Sequence, residues 1–417
     1  MSSLAHVLAI PHPAQGHVIP MMEFAKKLVH HGCKVTFVNT EFNHNKVMKA
    51  MSSSKKDDDD CGGDGGLDLV SIPDGLEDGD NRFNLEKLRE SMLRVMPGKL
   101  EELIEKAKNV DNRRITCVVA EGYTGWAMEV ARNMGIKTVA FCPASASTAA
   151  VAWSIPKLIQ DGFIHGNDGT ILKKQFINIS PTMPMLHSAA AFFWACFDDA
   201  GTIKSLFKLT ANSNDYIAKF ADFVVCNSAN ELEPAAFSLL PEFLPVGPLL
   251  ASSKLGNQAG NFWAKDSECL SWLDQQPARS VIYVAFGSFT AFNQTQFQEL
   301  ALGLELTNKP FLWVARPGIT FKETAEGDYP QGYKERIDQY LNESFICDVW
   351  KIGLRFEKDE SGIIRQGEIK NKVEQLLGDE HYKATAMDFE EKIVNSVQSG
   401  GCSQKNLSKV IDWIREM

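Results

Sequence analysis

Short apolar runs alternate along this chain with longer stretches in which apolar residues recur every three or four positions. In the first half, His6 to Ile10 ("HVLAI"), Lys34 to Asn39, Leu67 to Ile72, Ile115 to Ala120, Lys137 to Phe141 and Phe223 to Asn227 read as strands. Val281 to Gly287, Phe311 to Ala315 and Trp350 to Phe356 read the same way in the second half. Continuous apolar strands separated by amphipathic, helix-length segments predict parallel sheets covered on both faces, an α/β doubly wound architecture. "SSSKKDDDDCGGDGG" (Ser52 to Gly66) has nothing to bury and reads as a surface loop. "LPVGPLLASSKLGNQAG" (Leu244 to Gly260), rich in Pro, Gly and Ser, divides the chain into two α/β halves.

Composition narrows the function classes. Hydrophobic residues make up 44% of the 417 residues and charged residues 23%, an ordinary globular balance with ample core. A net charge of −10 offers no basic field for nucleic acid or an anionic membrane surface. The longest apolar stretch, Ser188 to Phe197, is too short to span a bilayer, and Pro11 and Pro13 break the N-terminal apolar run, so no signal peptide is expected. The nine cysteines are scattered, odd in number and lack a C-x-x-C pair, which suits reduced thiols in the cytoplasm. Adjacent His30 and His31 cannot share one helix face, so no metal site is expected there.

The chemistry concentrates at two strand-to-helix turns. In "IPHPAQGHVIPMMEFAKKL" (Ile10 to Leu28), His17 follows a glycine between a strand and a helix with Pro20 in its first turn and Gly32 closing it. Open α/β sheets bind ligands at such carboxyl ends, although a helix cap or a space-filling ring would also suit this position. In "SVIYVAFGSFTAFNQTQFQELALGLE" a strand ends in Gly287 and Ser288 before a helix, an arrangement that suits a phosphate and equally an ordinary turn. The chain contains no G-x-G-x-x-G, P-loop or G-x-S-x-G motif, which counts against dinucleotide oxidoreductases, P-loop NTPases and α/β-hydrolases.

Taken in order and spacing, "PHPAQGHVIPMMEFAKKL", "CVVAEGYTGWAMEVARNMGIK", "ELEPAAFSLLPEFLPVGPLL", "WLDQQPARSVIYVAFGSFTAFNQTQFQELALGLE", "KPFLWVARP" and the tail from Asp338 resemble the plant family 1 UDP-dependent glycosyltransferases over nearly the whole chain. That resemblance implies a GT-B fold of two Rossmann-like domains facing a cleft. Residues 1–245 would bind the acceptor, 246–260 would link the domains, and 261–417 would bind the UDP-sugar, with the final helix returning to the first domain. It implies transfer of a sugar, glucose in particular, with inversion, to a hydroxyl of a small phenolic or terpenoid-like plant metabolite. His17 then matches the general base and Glu121 stands where the family has an aspartate that orients it; without the resemblance Glu121 reads as a solvated loop acid. Gly287, Ser288, Asp338 and Gln339 fall at donor positions. No cofactor, metal, nucleic acid or integral membrane segment is implied, and the expected enzyme is a monomer in the cytoplasm.

One departure is large. After "YPQGYKER" the family runs through a long donor-binding signature with an H-x-G-W-N-S core, whereas here Arg336 is followed almost directly by Asp338 and Gln339. Roughly fifty residues of a second Rossmann unit are absent by this comparison. The second reading is therefore a relative that holds acceptor-like molecules without binding donor. In a 3-2-1-4-5-6 order, Val281 to Gly287, Phe311 to Ala315 and Trp350 to Phe356 would be strands 1, 2 and 6. That spacing predicts a second domain looser than the first. Aromatics of "FFWACF" and Trp153 are candidates for either pocket or core.

Overall fold

The computed structural model describes residues 4–54, 66–82, 84–108, 114–187, 192–196, 199–252, 260–262, 267–287, 292–314 and 337–416. Strands β1 (His6–Ile10), β2 (Lys34–Thr40), β3 (Leu67–Ile72), β4 (Cys117–Glu121) and β5 (Lys137–Cys142) come first, then a two-residue hairpin of β6 (Phe176–Ile177) and β7 (Leu186–His187), and then β8 (Phe223–Cys226) and β9 (Phe243–Pro245). Seven of them form one parallel sheet in the order β3-β2-β1-β4-β5-β8-β9. The order runs outward in both directions from β1 and β4, so the crossovers reverse at that junction and leave a crevice at the carboxyl ends of the two strands.

Both faces of the sheet are buried, as the continuous apolar runs require. Within β1, Leu8 and Ile10 enter one core with Val118 and Ala120 of β4, while Val7 and Ala9 enter another with Cys117 and Val119. The first core is covered by α3 (Leu85–Lys108) and the helix Ala200–Phe220, the second by α1 (Gln15–His30). The final helix, Cys402–Arg415, joins that second cover by burying Leu407, Val410, Ile411 and Ile414 against the first-half sheet. Lys137 Nζ donates to the Trp413 carbonyl (2.6 Å) and Ser403 Oγ to the Gly247 carbonyl (2.8 Å), which fixes the chain's end on the first half. Cys117 and Cys226 are buried free thiols held protonated, Cys117 by burial and Cys226 first by its hydrogen bond with Cys142 and then by burial.

Among the described residues the second half contains one two-stranded parallel sheet, β10 (Ile282–Ala285) beside β11 (Phe311–Val314). Its core is small: Val284 packs with Leu300, Leu304 and Ile369.

Four sequence expectations are corrected. Trp350 to Phe356 is not a strand. Lys351 sits at φ 55, outside extended backbone, and the Trp350 indole donates to the Leu232 carbonyl (2.8 Å) while packing on the first-half core. Helix α1 starts at Gln15, five residues before Pro20, because the amides of His17 and Val18 both return to the Ala14 carbonyl at 2.9 Å. Strand β9 occupies the start of the stretch read as an interdomain loop; three residues ending in Pro245 suffice because an edge strand tolerates proline. Ser52 to Ser54 end helix α2 (Glu41–Ser54), while the rest of that acidic stretch to residue 65 and residues 253–259 lie outside the described residues.

Candidate active site

Two chain segments meet at the carboxyl ends of β1 and β4. The chain leaves β1 through Pro11 to Ala14 and enters α1, placing His17 in the first helical turn with 27% of its side chain exposed. From β4 it passes through Glu121 into a short 3₁₀ turn, Gly122–Thr124, with the Glu121 side chain only 2% exposed. The Glu121 amide donates to Thr124 Oγ1 (3.2 Å), whose hydroxyl reaches the Ile10 carbonyl (3.0 Å), so the ends of the two strands are tied together. Gly122 allows the helix Ala200–Phe220 to lie directly over this turn. A Cβ there would fall 1.8 Å from Ser213 Oγ.

His17 Nδ1 lies 2.5 Å from Glu121 Oε2, and the other carboxylate oxygen accepts the His12 amide at 3.3 Å. A carboxylate on Nδ1 selects the tautomer with the proton there and leaves Nε2 as the basic nitrogen; it also stabilises the imidazolium once Nε2 takes a proton. Glutamate, one methylene longer than aspartate, spans from the strand end to both partners.

His12 is a residue that the sequence reading passed over. Its ring stands edge-on to His17 with centroids 5.1 Å apart, and Tyr123 stands 5.5 Å from His12 and 5.8 Å from His17. Burial, followed by the neighbouring His17, holds His12 well below the usual histidine range. His12 therefore stays neutral at pH 7 and places no second positive charge beside a protonated His17. Its Nδ1 is buried without a hydrogen-bond partner. The signal available in the sequence was the i, i+5 pair of histidines in "PHPAQGH", bracketing a strand-to-helix turn.

No family model matches the chain. UDP-glycosyltransferase 83A1 of Arabidopsis thaliana is 40% identical to it over 454 aligned positions, covering 98% of this chain and 97% of the relative. The chain belongs to the plant UDP-glycosyltransferases. A second member, (R)-mandelonitrile beta-glucosyltransferase of Prunus dulcis, is 32% identical over 77% of this chain and 68% of its own length. The fold is shared with a Polygonum tinctorium UDP-glucosyltransferase capable of glucosylating indoxyl (TM-score 0.76, 21% identity, 100% of both chains). It is shared also with Os79 of O. sativa, solved in complex with UDP (TM-score 0.74, 20% identity, 98% of this chain and 100% of that one). The architecture is thus GT-B. The alignment to the Arabidopsis glycosyltransferase is longer than the 417 residues here, so part of that relative has no counterpart in this chain.

The donor-side expectations of this UDP-glycosyltransferase are placed less closely. Gly287 follows β10 at φ 68, a left-handed conformation that favours glycine, and Ser288 lies outside the described residues. Asp338 and Gln339 lie on the helix Ile337–Ser344, and their side chains are outside the described residues. That helix buries Leu341 in the first-half core, along with Phe345 just beyond its end, rather than in the cluster around β10. Phe192 and Trp194 are core: they stack at 4.8 Å, and the Trp194 indole donates to the Gly169 carbonyl (2.9 Å). Trp153 packs edge-on to Phe243 at 5.4 Å. Among the described residues no three His, Cys, Asp or Glu side chains are grouped to hold a metal ion, and no helix is long and apolar enough to cross a membrane.

Proposed function

We propose that the chain transfers glucose from UDP-glucose, with inversion and without a metal, to a hydroxyl of a small phenolic or terpenoid-like molecule. The observation that carries this reading is the 2.5 Å contact between His17 Nδ1 and Glu121 Oε2 at the carboxyl ends of β1 and β4. In it, His17 Nε2 takes the acceptor proton as the oxygen attacks the anomeric carbon, Glu121 balances the charge that develops on the ring, and UDP leaves from the opposite face. His12 and Tyr123 wall the base. Gly287, Ser288, Asp338 and Gln339 are assigned to the donor, and the enzyme to the cytoplasm as a monomer. Relatives named for glucosyl transfer and the UDP held by Os79 support the donor assignment.

The test incubates the full chain with UDP-glucose and a panel of phenols and terpenoid alcohols, reading UDP release and glucoside mass. His17→Ala should lower turnover by about 10² to 10⁴-fold with the circular dichroism spectrum unchanged. Turnover that survives this change would remove His17 from the chemistry. Acceptor binding with no UDP release from any donor would reduce the chain to a binder.

A further inference from the structure

A groove of about 720 Å³ opens in the first half between α3, the helix Ile155–Gln160 and one face of the helix Ala200–Phe220. None of His12, His17, Glu121 or Tyr123 lines it. Its lining combines two chemistries. Ile155, Pro156, Ile159 and Phe207 give it apolar lining, while Arg89, Lys204 and Lys208 bring three cations to it against one carboxylate, Asp215. Lys204 and Lys208 are one helical turn apart and so share a face. Three cations gathered in one groove run against the background of a chain whose net charge is −10.

Two facts show that these cations are not taken up by pairing inside the fold. Among the described residues, Arg89, Lys204 and Lys208 take part in no ion pair with a carboxylate. Arg89 Nε is also buried with no hydrogen-bond partner. A guanidinium cannot shed its proton, and no group among the described residues accepts from this Nε–H, so Arg89 keeps its full charge beside the groove without an internal acceptor there. The volume falls in the range that holds a small organic molecule.

We infer that this groove binds a small amphipathic oxyanion. Its ring or hydrocarbon body lies on Ile155, Ile159 and Phe207, and its carboxylate, sulfate or phosphate is held by Arg89, Lys204 and Lys208. Asn167 and Asn212 add amide donors, whereas the Asn214 amide is already given to the Ala152 carbonyl (2.8 Å). The apolar lining distinguishes the site from one for a bare inorganic anion. The cations distinguish it from one for a neutral metabolite.

The experiment titrates the full chain by calorimetry with phenyl phosphate, inorganic phosphate and phenol. Phenyl phosphate should bind with a Kd at or below about 1 mM, and the other two at least about tenfold more weakly. Arg89→Gln, and separately the pair Lys204→Gln with Lys208→Gln, should each weaken phenyl phosphate by about tenfold or more. Asp215→Asn should tighten it, a sign that loss of folding cannot produce. Absence of saturable phenyl phosphate binding at about 1 mM, equal affinity for inorganic phosphate, or affinity unchanged in both cation variants would each overturn the assignment.

Discussion

The two parallel sheets among the described residues differ in how far their side chains are removed from water. All five residues of β1 and all five of β4 are buried, and their side chains alternate between two large cores. In β10 and β11 Tyr283 is 67% exposed and Val314 51%, and only Val284 is buried. A strand of a parallel sheet is stabilised by cover on both faces, so the same backbone ladder is worth less in the second sheet. The difference bears on function. The His17–Glu121 pair stands on the well-supported sheet, where fixed backbone can hold a hydrogen bond in register. Gly287 stands at the end of the weakly covered one.

Hydrogen exchange offers the largest contrast. Amides of His6 to Ile10 should exchange about a thousandfold more slowly than those of Ile282 to Ala285, a gap of roughly 4 kcal/mol in opening free energy. Equal protection by mass spectrometry would erase the comparison. Next come matched core truncations. Leu8→Ala, at 1% exposure between β1 and its neighbours, should cost about 4–5 kcal/mol, and Leu300→Ala in the four-residue second cluster about 2–3 kcal/mol. Chemical denaturation monitored separately in each half checks the pair, and the reverse ranking would show that the second half is the tighter one.

Smaller effects sharpen the contrast at the site itself. Glu121→Asp shortens the arm by one methylene, whereas the carboxylate here reaches both His17 Nδ1 and the His12 amide with a glutamate arm. Shortening it on a rigid sheet should lower kcat by about ten- to a hundredfold with KM for acceptor little changed. An increase in kcat would mean that the strand ends yield. The smallest effect is the pH dependence of stability contributed by His12. Its folded-state pKa lies below the ordinary 6.5, so below that pH the unfolded chain binds a proton that the folded one refuses. Its contribution is constant above about pH 6.5 and becomes destabilising as pH falls toward the folded value, by at most about 1.4 kcal/mol per pH unit. His12→Gln should flatten that segment of the curve measured by urea unfolding between pH 7 and the acid side.

Much of the first half was legible in the residues alone. Apolar runs marked β1 to β5 and β8 to within two residues, because strands buried on both faces must be apolar throughout. The strand-glycine-histidine-helix order marked the place of His17 for the same reason: turns at the carboxyl ends of parallel strands are where a sheet presents chemistry. Trp350 to Phe356 misled because an apolar run carries no label for what it packs against, and here Trp350 completes the other half's core. Strand β9 was hidden by its length of three residues and its terminal proline.

What the sequence determined by itself is whatever depends on local pattern: which segments are strands or helices, which turn holds an ionisable ring, and that Glu121 stands at the end of the fourth strand. What only the tertiary structure decided are relations between distant residues. That Glu121 reaches His17 at 2.5 Å across 104 positions, that His12 closes in beside them, and that Trp350 packs on the first-half core all depend on how distant elements sit in space. Hydrophobic burial is non-directional. It states that a face must be covered, and leaves to the packed whole which part of the chain covers it.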